Sequence, residues 1–391
     1  MNRLTRRRYL AVAGAGALAG CGTGDSGGGN YDPGGENGNG GGNGDGPTAS
    51  DENGCVEPRT VGAASDVAVP TATDPLPLPL DPSALRSEAT HGGPSKDGIP
   101  AIDDPQFAGV DGIDFLDDGD PVFGLARDGE AKAYPQNILV HHEIVNDRIA
   151  GNPVAVTYCP LTGTVLGFER GETTFGVSGR LINNNLIMYD RASEAWWPQV
   201  LATAIPGPWN EDPPAVSLRE FRVVWTTWEQ WRSAYPDTRV LTTETGSARN
   251  YAQDPYGAYN PKNGYYVREN TLFPELNEND RFHPKEVFLG ARTPRGAVAF
   301  RKERLLDERL MEGRLCETPV LAVSDPRLDT GYVYRNPEEL SFEHAGETVR
   351  ETGAGDGEAY DPDALPLERI HTFDAMWFAW SGFYPWTTVY A

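Results

Sequence analysis

The chain has 391 residues, 57 of them acidic and 33 basic, for a formal net charge of −24 at pH 7. That balance excludes nucleic acid and an anionic membrane surface as electrostatic partners. Only five residues are lysine, and with abundant Asp, Glu and Gly this reads as adaptation to high salt.

Thr5-Arg6-Arg7-Arg8-Tyr9-Leu10 fits the twin-arginine export pattern, and an Ala/Gly-rich run continues to Gly20. The run is shorter than the ~20 apolar residues a bilayer span needs, so it reads as the h-region of a signal peptide. Leu18-Ala19-Gly20-Cys21 resembles a lipobox, so cleavage before Cys21 and lipidation of its sulfur are expected. Residues 1–21 are then a signal peptide. Residues 22–84, rich in Gly, Asn, Asp and Pro, read as a disordered tether. Residues 85–391 read as one globular domain. The expected location is the outer face of the cytoplasmic membrane, with membrane lipid reached through Cys21. With Cys21 lipidated, Cys55, Cys159 and Cys316 remain. At least one is unpaired or bridges chains, and a Cys55–Cys316 pair stays open.

Val122–Arg127 and Glu130–Tyr134 read as strands joined by Asp128-Gly129, a two-residue hairpin turn. Val154–Tyr158 and Thr164–Glu169 flank the loop that begins Cys159-Pro160. Thr173–Val177 and Leu186–Tyr189 are further strands. Thr227–Tyr235 carries aromatic residues at helical spacing and Pro236 stops it. Val287–Ala291 and Ala297–Arg301 flank a Pro-Gly turn, Leu305–Met311 reads as a helix, and Pro319–Val323 and Tyr332–Tyr334 as strands. Phe373–Tyr384 is apolar almost all round, a buried helix or strand. The fold class expected is α+β and β-rich: mixed or antiparallel sheets, a few short helices, no evident internal repeat.

Three stretches carry chemistry. His142 lies among branched residues in "ILVHHEIVND"; a core histidine bonded to backbone and a site histidine are both open. Cys159 sits at a strand end, where loops place reactive groups, though free cysteine is most often a small core residue. "GRLINNNLIMYDRASEAWWPQ" supplies Asn183, Asn184, Met188, Asp190 and Trp197, while Asp254, Tyr256 and His283 open turn-to-strand junctions. Phosphate-loop, dinucleotide, haem, zinc-protease and nucleophile-elbow signatures are absent.

"AKAYPQNILVHHEIVND", "PVAVTYCPLTGTVLGFER", "WRSAYPDTRVL", "DPYGAY", "HPKEVFLG" and "MWFAWSGFYPWTTVY" occur in that order and resemble domain-of-unknown-function family 3179 from about Ile99 to the C-terminus. Members of that family usually carry Cys-Pro-Leu-Cys where this chain has Cys159-Pro160-Leu161-Thr162, so a local dithiol cycle cannot run here.

Two site chemistries follow from the residue types. Cys159, His142 and Met188 are ligand types suited to copper, or without the methionine to zinc, with Glu143 or His283 orienting a ligand. Alternatively, Cys159 is a nucleophile with His142 or His283 as base and an amide from Asn183 to Asn185 at an oxyanion. A non-catalytic version holds a small polar ligand on Asn183, Asn184, Asp190, Trp197, Asp254, Tyr256 and His283. A purely structural lipoprotein is the third reading.

Overall fold

The computed structural model describes residues 54–59, 67–352 and 357–391. The twin-arginine segment, Cys21 and the Gly-rich run up to residue 53 lie outside them. Among the described residues strands dominate, mostly antiparallel, with five short α-helices. Pro121–Arg127 pairs with Glu130–Pro135 across Asp128 (φ 52°) and Gly129 (φ 81°), the two left-handed residues a tight hairpin demands. A single helical turn, Gln136–Leu139, leads into a meander of Ile144–Ile149, Asn152–Cys159 and Thr164–Glu169.

The same set of elements occurs again. Val287–Thr293, Gly296–Arg301, Lys302–Glu308, Leu310–Leu315, Thr318–Asp325 and Thr330–Arg335 follow their counterparts by 166 residues (287 less 121). Each set is closed by a second segment at an offset of 149 residues (377 less 228): a strand, the helices Trp228–Ala234 and Trp377–Phe383, and a last strand. The register repeats too. Gly124 faces Val224 as Gly290 faces Phe373, and Lys132 faces Arg239 in a parallel pair as Val298 faces Thr388. A Cβ at Gly124 would collide with the Trp231 ring, and one at Gly290 with the Trp380 ring. The two indole N–H groups donate to Thr238 and Thr387 at 2.9 and 3.0 Å. The domain is therefore an internal duplication, which corrects the expectation that no repeat is present.

The repeats pack reciprocally: Thr164–Glu169 lies against Thr372–Met376 of the second repeat, and Thr330–Arg335 against Val224–Thr227 of the first. That exchange is the signature of a pseudo-two-fold relation. Each repeat is interrupted at the same place. The first insertion carries Phe175–Ile182, Asn185–Asp190 and Trp196–Pro198; the second carries Ser341–Ala345 and Thr348–Thr352.

Three boundaries differ from expectation. The helix read at Leu305–Met311 is Lys302–Glu308; Arg309 at φ 72° ends it and Leu310 starts a strand. Phe373–Tyr384 is both alternatives in turn, strand Thr372–Met376 and then helix Trp377–Phe383. The folded chain begins before residue 85: Val69, Leu76 and Leu78 are buried, Thr71 bridges to Leu218, and Cys55 forms a disulfide with Cys316. The end of the supposed tether is thus stapled onto the second repeat.

Candidate functional site

The loop after Cys159 is built from its backbone. Gly163 takes φ 59°, a conformation that favours glycine, and turns the chain into Thr164. The Thr162 carbonyl accepts from Met376 N–H at 3.0 Å and the Leu161 carbonyl from the Tyr265 hydroxyl at 2.9 Å. The Cys159 thiol is buried and approaches the Asn184 carbonyl at 3.5 Å. Burial, with the carboxyl of Glu143 adding to it, pushes this thiol up to about 11. Thr162 does structural work of its own. Its hydroxyl meets Thr164 Oγ1 at 2.8 Å and Asn185 Nδ2 at 3.0 Å, inside a buried network completed by Gln199.

His142 has both ring nitrogens occupied, Nδ1 by the Pro100 carbonyl and Nε2 by the Tyr251 hydroxyl, each at 2.7 Å, and burial lowers its pKa. An activated thiol–imidazole pair needs a depressed thiol and an imidazole free to take its proton. Cys159 is shifted the opposite way and His142 is committed elsewhere. Met188 is buried in Asn185–Asp190 opposite Trp197, in the same core cluster as Cys159. Among the described residues no three His, Cys, Asp or Glu side chains converge as cation ligands.

The other expected ligand residues hold the fold. Asn183 and Asn184, at φ 50° and 61°, form the tight turn between Phe175–Ile182 and Asn185–Asp190. Their amides are satisfied by backbone: Asn183 by Ala379 and Leu276, Asn184 by Phe273. Asp190 accepts from Ser193, Ala192 and the Trp197 indole. Asp254 accepts from Gln136 Nε2 at 2.8 Å, the Tyr266 hydroxyl at 2.7 Å and Tyr256 N–H at 2.7 Å. His283 is exposed and its Nδ1 accepts from Lys285 N–H.

What the fold does create is a cleft of ≈ 520 Å³ where the repeats meet, with Gly163 in its wall. Repeat-related positions both line it: Gly119 and Lys285, Gly163 and Asp329, Thr227 and Met376. Three of the five lysines, Lys262, Lys285 and Lys302, line it. Lys302 is paired with Asp374 at 2.6 Å, and Glu286 with Arg301. Lys285 is buried and has one hydrogen-bonded partner for its ammonium, the Tyr265 hydroxyl at 2.8 Å. Its Nζ lies 3.9 Å from the Tyr265 ring centroid and 4.3 Å from that of Phe378. Burial pulls its pKa down to about 8, while that of the exposed Lys262 is lowered by desolvation and by Lys302. Trp225 and Tyr259 form an aromatic wall, edge to face at 5.1 Å. A larger hollow of ≈ 780 Å³ lies beside the disulfide, but its wall is made by Cys55 to Arg59, next to chain outside the described residues.

The sequence profile of DUF3179, a protein of unknown function, matches residues 96–387. The chain belongs to the DUF3179 family. Its DUF3179 segment takes in the first repeat, both insertions, the second repeat up to its last strand and every residue named for the cleft. Searches of curated proteins and of solved structures return no match.

Sequence reasoning missed Lys285, Lys262 and Trp225. Two signals were available. One was the clustering of scarce lysines after residue 261. The other was the pattern Trp-x-x-Trp-x-x-x-Tyr-Pro-x-Thr-x-Val, present at Trp228–Val240 and again at Trp377–Val389, which marks the repeat and hence the seam.

Proposed function

We propose that this DUF3179 protein is an exported, lipid-anchored small-ligand-binding protein whose site is the cleft between its repeats. The observation that carries the reading is the asymmetry of the cleft. Duplication alone would line it with like residues, yet the equivalent positions carry Gly119 and Lys285, and Gly163 and Asp329. An apolar wall with a few convergent polar groups is the usual form of a small-molecule site. The loop after Cys159 serves this site as scaffold: Gly163 lines the cleft, and the Leu161 carbonyl holds Tyr265, which holds Lys285. Export is supported by the twin-arginine segment and the lipobox before Cys21, and by a Cys55–Cys316 disulfide, which persists in oxidising compartments. A hydrolytic role for Cys159 with His142, and a copper or zinc role for Cys159, His142 and Met188, are less favoured by the committed ring nitrogens and the raised thiol.

The test is a fragment screen by ligand-observed NMR on the folded protein in high salt, repeated on Leu306→Trp. Leu306 is a half-buried helical residue lining the cleft, so the larger ring fills the space. Fragments are expected to bind the wild type and to lose binding in the variant at unchanged melting temperature. No binding fragment, or equal binding to both proteins, contradicts the reading.

A further inference from the structure

The cleft is lined by three lysines and by the carboxylates of Glu286, Glu303, Asp329 and Asp374, yet none of these carboxylates pairs with the buried Lys285. Lys302 is neutralised by Asp374, and Glu286 and Glu303 both pair with Arg301. The Lys285 ammonium has three N–H donors and uses one, on the Tyr265 hydroxyl. That hydroxyl spends its own proton on the Leu161 carbonyl, so it offers Lys285 a lone pair and no negative charge. The ring faces of Tyr265 and Phe378 offset part of the desolvation. Glu275 acts only from a distance, favouring the charged form without a direct contact. A cleft-lining lysine of 3 % exposure with two donors unspent is a cation waiting for an anion.

We propose that the cleft binds a small organic carboxylate, its charge on the Lys285 ammonium and its apolar part against Trp225, Tyr259 and Met376. This rests on the reading of the cleft as a binding site and names the ligand class. A carboxylate fits better than a phosphate. Phosphate recognition favours arginine forks or several convergent donors; no arginine is among the lining residues, and Arg301 is held by the lining Glu286 and Glu303. One buried ammonium, with the exposed Lys262 at the rim, matches a single negative charge. The aromatic wall gives the apolar remainder of such a molecule its surface.

The experiment compares 3-phenylpropionate with its neutral isostere 3-phenylpropionamide by isothermal titration calorimetry at pH 6.5 in molar NaCl, with inorganic phosphate as a third probe. The wild type is expected to bind the carboxylate about tenfold or more tightly than the amide or phosphate. Lys285→Met is expected to erase that preference while leaving amide binding in place, and Lys285→Arg to retain part of it should the apolar variant fail to fold. Equal binding of carboxylate and amide by the wild type, or an undiminished preference in Lys285→Met, overturns the ligand class and leaves the cleft as a neutral site. Tighter binding of phosphate overturns it in favour of a phosphorylated ligand. If none of the three probes binds and the fragment screen is also empty, the ligand class and the binding site fall together.

Discussion

Glu143 is the residue whose environment has the clearest consequence. It stands at φ 60° and is buried, and its carboxyl makes no hydrogen bond or ion pair among the described residues; desolvation raises its pKa to about 8. An unfolded glutamate titrates near ~4.3. Between the two values the folded chain keeps a proton that the unfolded chain releases. This contribution is fully present below the lower value and is lost as pH rises to the upper one. Glu143→Gln imitates the protonated form. Its stability advantage over the wild type is therefore expected to grow from pH 5 to pH 8.5, by on the order of a few kcal/mol. Guanidinium unfolding at fixed salt reads this directly, and parallel pH profiles would contradict it. Cys159 gives a second expectation. A thiol pushed up to about 11 and closed from solvent should resist iodoacetamide at pH 7 in the folded protein and react only on unfolding, and His142→Ala should not change its rate. Fast alkylation at pH 6 would restore the activated-cysteine reading. These side chains were visible in the sequence as residue types. Their partners were not: His142 is committed by Pro100 and Tyr251, Asn184 by Phe273, all distant in the chain.

At the scale of elements, the duplication gives matched tests. Gly124 and Gly290 each lie under a tryptophan from the helix that closes their repeat. Gly124→Ala and Gly290→Ala are each expected to destabilise the fold by about 1–3 kcal/mol, because the ring can move only by displacing its bond to Thr238 or Thr387. Chemical denaturation checks this; a neutral Gly124→Ala beside a costly Gly290→Ala would show that the repeats are not equivalently packed. Much of the strand order was legible. Asp128-Gly129, the strands around Cys159 and the helix before Pro236 lie where turn chemistry and periodicity place them. The duplication stayed hidden because the aligned first hairpins, "VFGLARDGEAKAYP" and "FLGARTPRGAVAFR", share few identities. Strand packing asks for apolar character at alternate positions and tolerates many residues that meet it. Only places where one residue type fits survive as a pattern: the glycine under the indole, the two tryptophans and the Tyr-Pro-x-Thr that ends the helix. The cleft was invisible for the same reason, since its walls come from opposite repeats.

At the scale of the whole molecule, a net charge of −24 predicts salt dependence. Repulsion among excess carboxylates is screened when the Debye length falls to ~3 Å at 1 M salt. The melting temperature should rise markedly from low to molar NaCl; a flat response would indicate an ordinary acidic surface. The proposed anchor makes its own prediction: Cys21→Ala should release the exported protein from membranes, and unchanged partitioning would remove the lipid from the account. The central claim, that the seam between the repeats is the binding site, is tested most directly by chemical footprinting of the five lysines. Reductive methylation at pH 8, followed by peptide mass spectrometry, is run with and without saturating 3-phenylpropionate. Lys285, with its pKa pulled down to about 8, then holds a substantial unprotonated fraction, whereas Lys96 and Lys132 lie outside the cleft. Selective protection of Lys285 and Lys262 by the ligand, with Lys96 and Lys132 unchanged, is the predicted result; protection spread evenly over all five, or absent from Lys285, would contradict it.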